Sequence, residues 1–186
     1  MNKQILVLTG SPRKQGNSDL LADAFIKGAV AGGNTVDKFM SAFHKINGCL
    51  GCNNCWSKGG LPCVQEDDFN ENLAPLLERA DMLVFCTPLY SYTFTAQIKA
   101  PIDRLFPYGR ENRVKSLKVK ETALLICGAD DIEAPFSAAI QSYRYLIEYY
   151  KWTSRAELIV PNVNNKGDVL KTDWLQQAEM LGKSIV

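Results

Sequence analysis

The sequence carries almost no net charge and no long apolar run. Its 21 Lys and Arg residues nearly balance its 20 Asp and Glu residues, which leaves a formal charge of +1. Such a balance supplies no extended field that would attract a nucleic-acid backbone or an anionic membrane, so we expect neither as a partner. The apolar run that ends at Gly10 is too short for a membrane span and has no small-residue cleavage site after it. These absences predict a cytoplasmic protein.

The two familiar glycine-rich signatures for nucleotides are also missing. The segment from Gly10 to Ser18 reads GSPRKQGNS. A P-loop requires GxxxxGK followed by Ser or Thr, whereas here the second glycine comes one residue later and Asn17 stands where the lysine belongs. The dinucleotide fingerprint GxGxxG is absent as well. The segment is therefore not a P-loop, and a tightly held NAD on a Rossmann site is not expected.

Short apolar runs alternate along the chain with stretches that have helical spacing. The runs predict strands at residues 4–9, 35–40, 82–86, 122–127 and 156–160. Helices are predicted near residues 20–29, 71–79, 96–105, 134–149 and 170–183. This alternation predicts an α/β fold, a three-layer α/β/α sandwich around a five-stranded parallel sheet. The length of 186 residues and the lack of a linker predict a single domain over residues 1–186.

The GSPRKQGNS segment lies between the first predicted strand and the first predicted helix. Backbone N–H groups at a helix start have no intrahelical partner, and the helix dipole is positive there. The hydroxyls of Ser11 and Ser18 add donors, and Arg13 adds a cationic fork. These features suit a phosphate group. The alternative is a turn without a ligand, in which Asn17 or Ser18 caps the helix.

Four of the six cysteines crowd into the only long irregular stretch, residues 41–70. Cys49, Cys52, Cys55 and Cys63 follow the spacing CxxCxxC with seven residues before the fourth. Overlapping triplets are more typical of iron-sulfur ligation than of a zinc site, which uses separated CxxC pairs. The alternatives are reduced thiols that only pack, or a disulfide. The other two cysteines end apolar runs and are expected to be buried small hydrophobic residues.

Two segments resemble the NADPH-dependent FMN reductase and iron-sulfur flavoprotein group of the flavodoxin-like superfamily. GSPRKQGNS matches that group's phosphate loop, and residues 87–92 (TPLYSY) followed by 96–104 (AQIKAPIDR) match its flavin-ring loop and the next helix. The resemblance implies a flavodoxin-like sheet of order 2-1-3-4-5. Pro101 departs from the group's pattern, and proline inside this helix predicts a kink or a restart.

The resemblance also implies which residues bind FMN. The phosphate would be held by Ser11, Arg13, Gly16, Asn17 and Ser18. The isoalloxazine ring would be lined by Pro88, Leu89, Tyr90, Ser91 and Tyr92. Gly128, after the fourth strand, would form a third wall, although a plain acidic turn is an equal interpretation. The group's compact cysteine motif, at Cys49, Cys52, Cys55 and Cys63, would ligate a [4Fe-4S] cluster.

The function implied is that of an FMN-dependent oxidoreductase that takes hydride from NAD(P)H. It would pass electrons to a small-molecule acceptor such as a quinone, an azo compound or a flavin. No catalytic side chain is expected, because the cofactor carries the reaction. One alternative is an iron-sulfur flavoprotein electron carrier that relays electrons between FMN, a cluster and protein partners. Another is an interaction module that has lost its cofactor. An aromatic run from Tyr143 to Trp152 predicts a contact patch of a homodimer or higher homo-oligomer, although such a stripe is more often part of a core.

Overall fold

The computed structural model describes residues 2–109 and 114–186. Within them, five strands form one parallel sheet in the order β2-β1-β3-β4-β5, which is the predicted flavodoxin-like topology. The strands are β1 (Gln4–Thr9), β2 (Thr35–Met40), β3 (Met82–Pro88), β4 (Glu121–Cys127) and β5 (Thr153–Val160). The central strands are buried along nearly their whole length, as expected for a parallel sheet covered on both faces.

Helices cover both faces of the sheet. They are α1 (Asn17–Ala31), α2 (Ala74–Arg79), α3 (Ala96–Asp103), α4 (Phe106–Gly109), α5 (Ser137–Tyr150) and α6 (Trp174–Lys183). α1 and α6 contribute to the core on one face, and α2, α3 and α5 contribute to the core on the other. No helix in the described part of the chain is both long and apolar enough to cross a bilayer.

α1 and α6 approach each other closely because glycines lie at their contact. A Cβ atom added to Gly28 of α1 would stand 1.9 Å from the backbone oxygen of Glu179. A Cβ atom added to Gly182 of α6 would stand 2.0 Å from the backbone oxygen of Phe25. Any larger residue would push the two helices apart, so this pair of glycines sets their separation.

Pro101 lies inside α3, and the predicted restart does not occur at this residue. α3 continues through Pro101 but ends at Asp103, and the short helix α4 begins at Phe106. Proline has no N–H to donate to the preceding turn, and its ring crowds the carbonyl four residues earlier. The N–H of Arg104 is shared between the carbonyls of Ala100 and Pro101, at 3.2 and 3.1 Å, as is common in a tightened last turn.

The sheet order creates a crevice at the carboxyl ends of the strands. The connection after β1 leads to β2 on one side, whereas β3 lies on the other side of β1. Loops that leave neighbouring strands in opposite directions open a gap between them, which is where open α/β sheets bind their ligands. The two segments singled out from the sequence, residues 10–18 and 87–92, follow β1 and β3 at this point.

Candidate functional site

A pocket lies at the carboxyl ends of β1, β3 and β4, and we call it the strand-end pocket. It draws on four loops: those after β1, β3 and β4, and the one between β5 and α6. Its lining residues are Ser11, Arg13, Gly16, Asn17, Ser18, Pro88, Leu89, Tyr90, Cys127, Gly128, Ala129, Val163, Asn164 and Lys166. Nine of the eleven predicted cofactor-binding residues are therefore brought together, and Ser91 and Tyr92 are not in the lining.

The loop after β1 is shaped by its own hydrogen bonds. The N–H of Arg13 donates to Ser11 Oγ at 3.1 Å, and the N–H of Gly16 donates to the carbonyl of Arg13 at 3.0 Å. Gly16 is the N-cap of α1 and has no side chain with which to cap it. The N–H groups of the first turn of α1 have no intrahelical acceptor, so this end of the pocket suits an anion.

An acidic residue in the first turn of α1 does not oppose this anion site. Asp19 is buried, accepts a hydrogen bond from the N–H of Gln15 at 2.7 Å and pairs with Lys38 at 2.5 Å. Burial alone would lower the pKa of Lys38, but hydrogen bonds to Asp19 and Asp23 outweigh it and raise that pKa. Lys38 therefore stays charged and offsets part of the negative charge of Asp19 and Asp23 behind the loop.

The apolar wall of the pocket comes from the loop after β3. Pro88, Leu89 and Tyr90 line it, and Tyr90 is 40% exposed. Ser91 and Tyr92 form the tip of a two-residue turn, closed by a pair of 3.0 Å hydrogen bonds between Tyr90 and Thr93. Both tip residues have left-handed backbones, with φ of 47° and 64°. The tight turn carries their side chains out of the lining, which the sequence pattern alone did not reveal.

The loop after β4, which contains Gly128, closes a third side of the pocket. A Cβ atom on Gly128 would stand 2.9 Å from Phe136 Cζ and 3.2 Å from Leu89 Cβ, so a larger residue would press on the apolar wall. The neighbouring Cys127 is buried, and burial raises the pKa of its thiol to about 12. The thiol therefore remains protonated at neutral pH. Cys86 is likewise buried with a raised pKa, so both cysteines are the inert small residues predicted from the sequence.

Sequence reasoning missed the fourth side of the pocket. The loop between β5 and α6 contributes Val163, Asn164 and Lys166. The sequence analysis assigned no binding role to this loop. The available signal was the run Asn164-Asn165-Lys166-Gly167, which is polar, contains a cation and follows a strand. In a parallel sheet, every strand's carboxyl end opens on the same edge, so each such loop is a candidate wall.

The residues present fit FMN. One end of the pocket offers hydroxyls, helix-start N–H groups and the cationic Arg13 and Lys166, and no Asp or Glu is among the described lining residues. The other end offers a proline, a leucine and a tyrosine ring. An anionic phosphate and a flat apolar ring system require these two environments side by side.

Comparison with known proteins identifies the family. The family model described as NADPH-dependent FMN reductase matches residues 4–139. The chain belongs to the NADPH-dependent FMN reductase family. An iron-sulfur flavoprotein of Archaeoglobus fulgidus is 42% identical over 108 residues, covering 58% of this chain and 48% of that protein. A putative NAD(P)H-dependent FMN-containing oxidoreductase of Bacillus subtilis is 24% identical over 173 residues, covering 90% of each.

Solved structures agree on the fold of this FMN reductase family member. An NAD(P)H:quinone oxidoreductase from Methanothermobacter marburgensis superposes with a TM-score of 0.76 at 18% identity, covering 100% of this chain and 98% of that one. The azoreductase AzrA superposes with a TM-score of 0.72 at 20% identity, covering 98% of this chain and 100% of that one. Identities this low show the fold alone. The chain spans about half the length of the iron-sulfur flavoproteins that it matches.

The cysteines predicted as cluster ligands lie in a separate part of this family member, the cysteine loop (residues 49–63). Cys49 and Cys52 are exposed, Cys55 is partly buried and Cys63 is buried, yet all four line one small pocket. In the described part of the chain, no three His, Cys, Asp or Glu side chains are grouped closely enough to hold a metal ion. The four thiols therefore lie around one pocket, but they are not grouped closely enough to ligate one metal ion in this arrangement.

A buried ion pair supports the cysteine loop. The side chains of Arg104 and Asp67 are 1% and 0% exposed, and both Asp67 oxygens accept from the Arg104 guanidinium, at 3.0 and 3.2 Å. Asp67 also accepts the N–H groups of Asn47 and Phe69, at 2.9 and 3.1 Å. Burial alone would raise the pKa of Asp67, but these hydrogen bonds outweigh it and lower that pKa. Arg104 itself lines the cysteine pocket.

Proposed function

We propose that this protein is an FMN-dependent oxidoreductase that takes hydride from NAD(P)H and passes electrons to a small-molecule acceptor such as a quinone, an azo compound or a flavin. The observation that carries the proposal is the meeting of a phosphate-type loop and an apolar wall in one pocket at the switch point of the sheet. Membership of the FMN reductase family supports it. Relatives named as NAD(P)H:quinone oxidoreductases and azoreductases support the class of acceptor.

The residues of the strand-end pocket would divide the work of holding FMN. Ser11, Gly16 and Ser18, together with the first N–H groups of α1, would hold the phosphate, with Arg13 as a counter-charge. The residues Pro88, Leu89, Tyr90 and Gly128 would line the ring. Bound FMN supplies the hydride chemistry, so the protein needs to orient the two substrates and shield the ring from water. No side chain in the pocket is required to transfer a proton.

The proposal is tested by adding FMN to the protein under anaerobic conditions and then titrating with NADPH and NADH. We expect FMN to bind with quenched fluorescence and its visible bands to bleach on addition of the nucleotide. Two neighbouring cations supply a matched pair of variants, because Arg13 lines the pocket whereas Lys14 lies outside the lining, over the Phe43 ring. R13Q should weaken FMN binding more than K14Q does. Failure of the wild-type protein to take up FMN would refute the proposal.

A second candidate function is electron transfer through an iron-sulfur cluster held by Cys49, Cys52, Cys55 and Cys63. It is favoured by the four cysteines sharing one pocket and by the 42% identity to an iron-sulfur flavoprotein. The N–H of Gly51 points to Cys49 Sγ at 3.4 Å, a type of contact that stabilises thiolate sulfur. A cluster at these residues would add one-electron transfer between FMN and protein partners.

Iron and sulfide analysis of protein purified without oxygen tests this candidate. We expect about four iron atoms per chain for a [4Fe-4S] cluster, together with a broad absorption shoulder that C52S removes. The control is C86A, which changes a buried cysteine outside the cysteine pocket and should leave the iron content unchanged. Iron-free protein that still binds FMN and reacts with NADPH would reject the cluster and leave the reductase proposal intact.

We also propose that residues 1–186 form one domain, that the protein is a cytoplasmic homodimer, and that α5 contributes to the dimer contact. The single domain is supported by one sheet whose strands lie between residues 4 and 160, and by the packing of α6 on α1.

The dimer contact is supported by the aromatic patch predicted from the sequence. Tyr145 and Tyr149 of this patch are exposed by 64% and 55%, whereas Tyr143 is buried. Light scattering of the wild type and of Y145E tests the dimer, because a charge at a buried contact should favour the monomer.

A further inference from the structure

The loop between β5 and α6 reaches the phosphate end of the strand-end pocket. Lys166 lies in this loop, is exposed and is one of the pocket's lining residues. The residues on either side of Lys166 are bonded to the loop after β1 through Asn17, the first residue of α1. Lys166 is therefore placed beside the helix start at which an anion is expected.

Asn17 acts as a clamp between the two loops. Its Nδ2 donates to the carbonyl of Asn165 at 2.9 Å, and its Oδ1 accepts the N–H groups of Gly167 at 3.0 Å and Val169 at 3.3 Å. A side-chain carbonyl oxygen has two lone pairs, so Oδ1 has no remaining capacity for another donor. The residue is only 9% exposed. Asn17 was predicted to hold the FMN phosphate; its Oδ1 is committed to the neighbouring loop, whereas its backbone N–H and the second hydrogen of Nδ2 are left for that role.

The clamped loop is anchored at further points, so its position does not depend on the ligand. The N–H of Asn162 donates to the carbonyl of Asp130 at 2.6 Å, and the N–H of Val163 donates to the carbonyl of Gly128 at 2.9 Å. Asp168 Oδ2 accepts the N–H groups of residues 164 and 165, at 3.2 and 2.6 Å. A loop held this way loses little conformational entropy when a ligand binds.

We propose that Lys166 binds the phosphate of the flavin and makes the pocket prefer FMN to riboflavin, with Asn17 as the positioning residue that holds the loop of Lys166 against the pocket. This inference rests on the proposed FMN function. Lys166 and Arg13 are the two cations among the described lining residues, which include no acid. A phosphate gains a charge-assisted contact from Lys166, whereas riboflavin offers no group for it.

Flavin titrations of K166Q test the first part, with both FMN and riboflavin as probes. We expect K166Q to raise the Kd for FMN about tenfold, the order of one hydrogen bond to a charged group. The Kd for riboflavin should not change. The matched control is K171Q, which removes an equal charge from a nearby lysine that pairs with Asp168 and lies outside the pocket lining. Equal FMN affinities of K166Q and K171Q would overturn the role of Lys166.

Hydrogen exchange of the FMN-free protein tests the clamp. In N17A, the N–H groups of Gly167 and Val169 should lose protection, whereas N17D keeps an acceptor for both and should retain it. The ratio of FMN to riboflavin affinity should fall in N17A and fall no further in N17A/K166Q, because the clamp acts through Lys166. Additive losses, or unchanged protection in N17A, would overturn the positioning role.

The two proposals fail in different ways. If the wild-type protein bound neither flavin, the FMN function and this inference would both fall. If it bound FMN and riboflavin equally well, the FMN site would stand and the selectivity assigned to Lys166 would be wrong.

Discussion

Removal of the charge on Asp67 should be among the most damaging single changes outside the strand-end pocket. Its two oxygens accept four hydrogen bonds, two from Arg104 and one each from the N–H groups of Asn47 and Phe69. D67N replaces one oxygen with a donor, so it breaks contacts on that side and leaves a buried guanidinium without a counter-charge. Breaking one side of a buried pair costs about 3 to 5 kcal/mol of unfolding free energy.

Urea unfolding of the FMN-free protein measures this loss without a contribution from ligand binding. For a chain of this length, the loss corresponds to a fall in Tm of about 10 °C. The control is D103N, next to Arg104 on α3, which breaks an exposed pair between Lys99 and Asp103, 52% and 42% exposed. D103N should cost about 0.5 kcal/mol or less. A loss for D67N no larger than that for D103N would refute the reasoning.

The buried pair of Asp67 and Arg104 also leads to a prediction of how stability depends on pH. The pKa of Asp67 is lowered on folding from its ordinary 3.8, so the charged carboxylate favours the folded state. Its contribution is complete above the unfolded pKa and is lost as the pH falls through the lower folded pKa. The stability difference between wild type and D67N should therefore be constant at neutral pH and shrink below about pH 3.8. A difference that vanished near pH 6 would point to another group.

Three further predictions concern the core, the turn and the thiols. G28A should lower the free energy of unfolding by about 3 kcal/mol or more, because its Cβ would lie 1.9 Å from the backbone of α6. G48A is the control, because the space around Gly48 is open, and it should be nearly neutral in urea unfolding. Y92G should raise the unfolding free energy by about 1 kcal/mol by relieving a left-handed tyrosine, and an unchanged urea midpoint would contradict that strain. In native protein at pH 8, iodoacetamide should label the exposed Cys49 and spare Cys127, as mass spectrometry of the peptides can show.

The local pattern of residues was sufficient for the α/β class and for the phosphate-type loop, whereas the strand order and the flavin-ring wall came from the resemblance to the FMN reductase group. Strand positions followed from short apolar runs, because a strand covered on both faces must be apolar on both. The loop after β1 was recognisable because its glycines, serines and arginine lie within one segment of nine residues, 10–18.

Other features depended on residues that are distant in sequence. The side chain of Asn17 meets a loop about 150 residues later, and Lys166 joins the pocket only because the carboxyl ends of all parallel strands open on one edge. Arg104 and Asp67 pair across 37 positions. Sequence alone determined which segments are strands, helices and ligand-type loops, since these depend on neighbouring residues. Tertiary structure alone decided which side chains remain free for a ligand, because a polar group's partners are set by what packs against it.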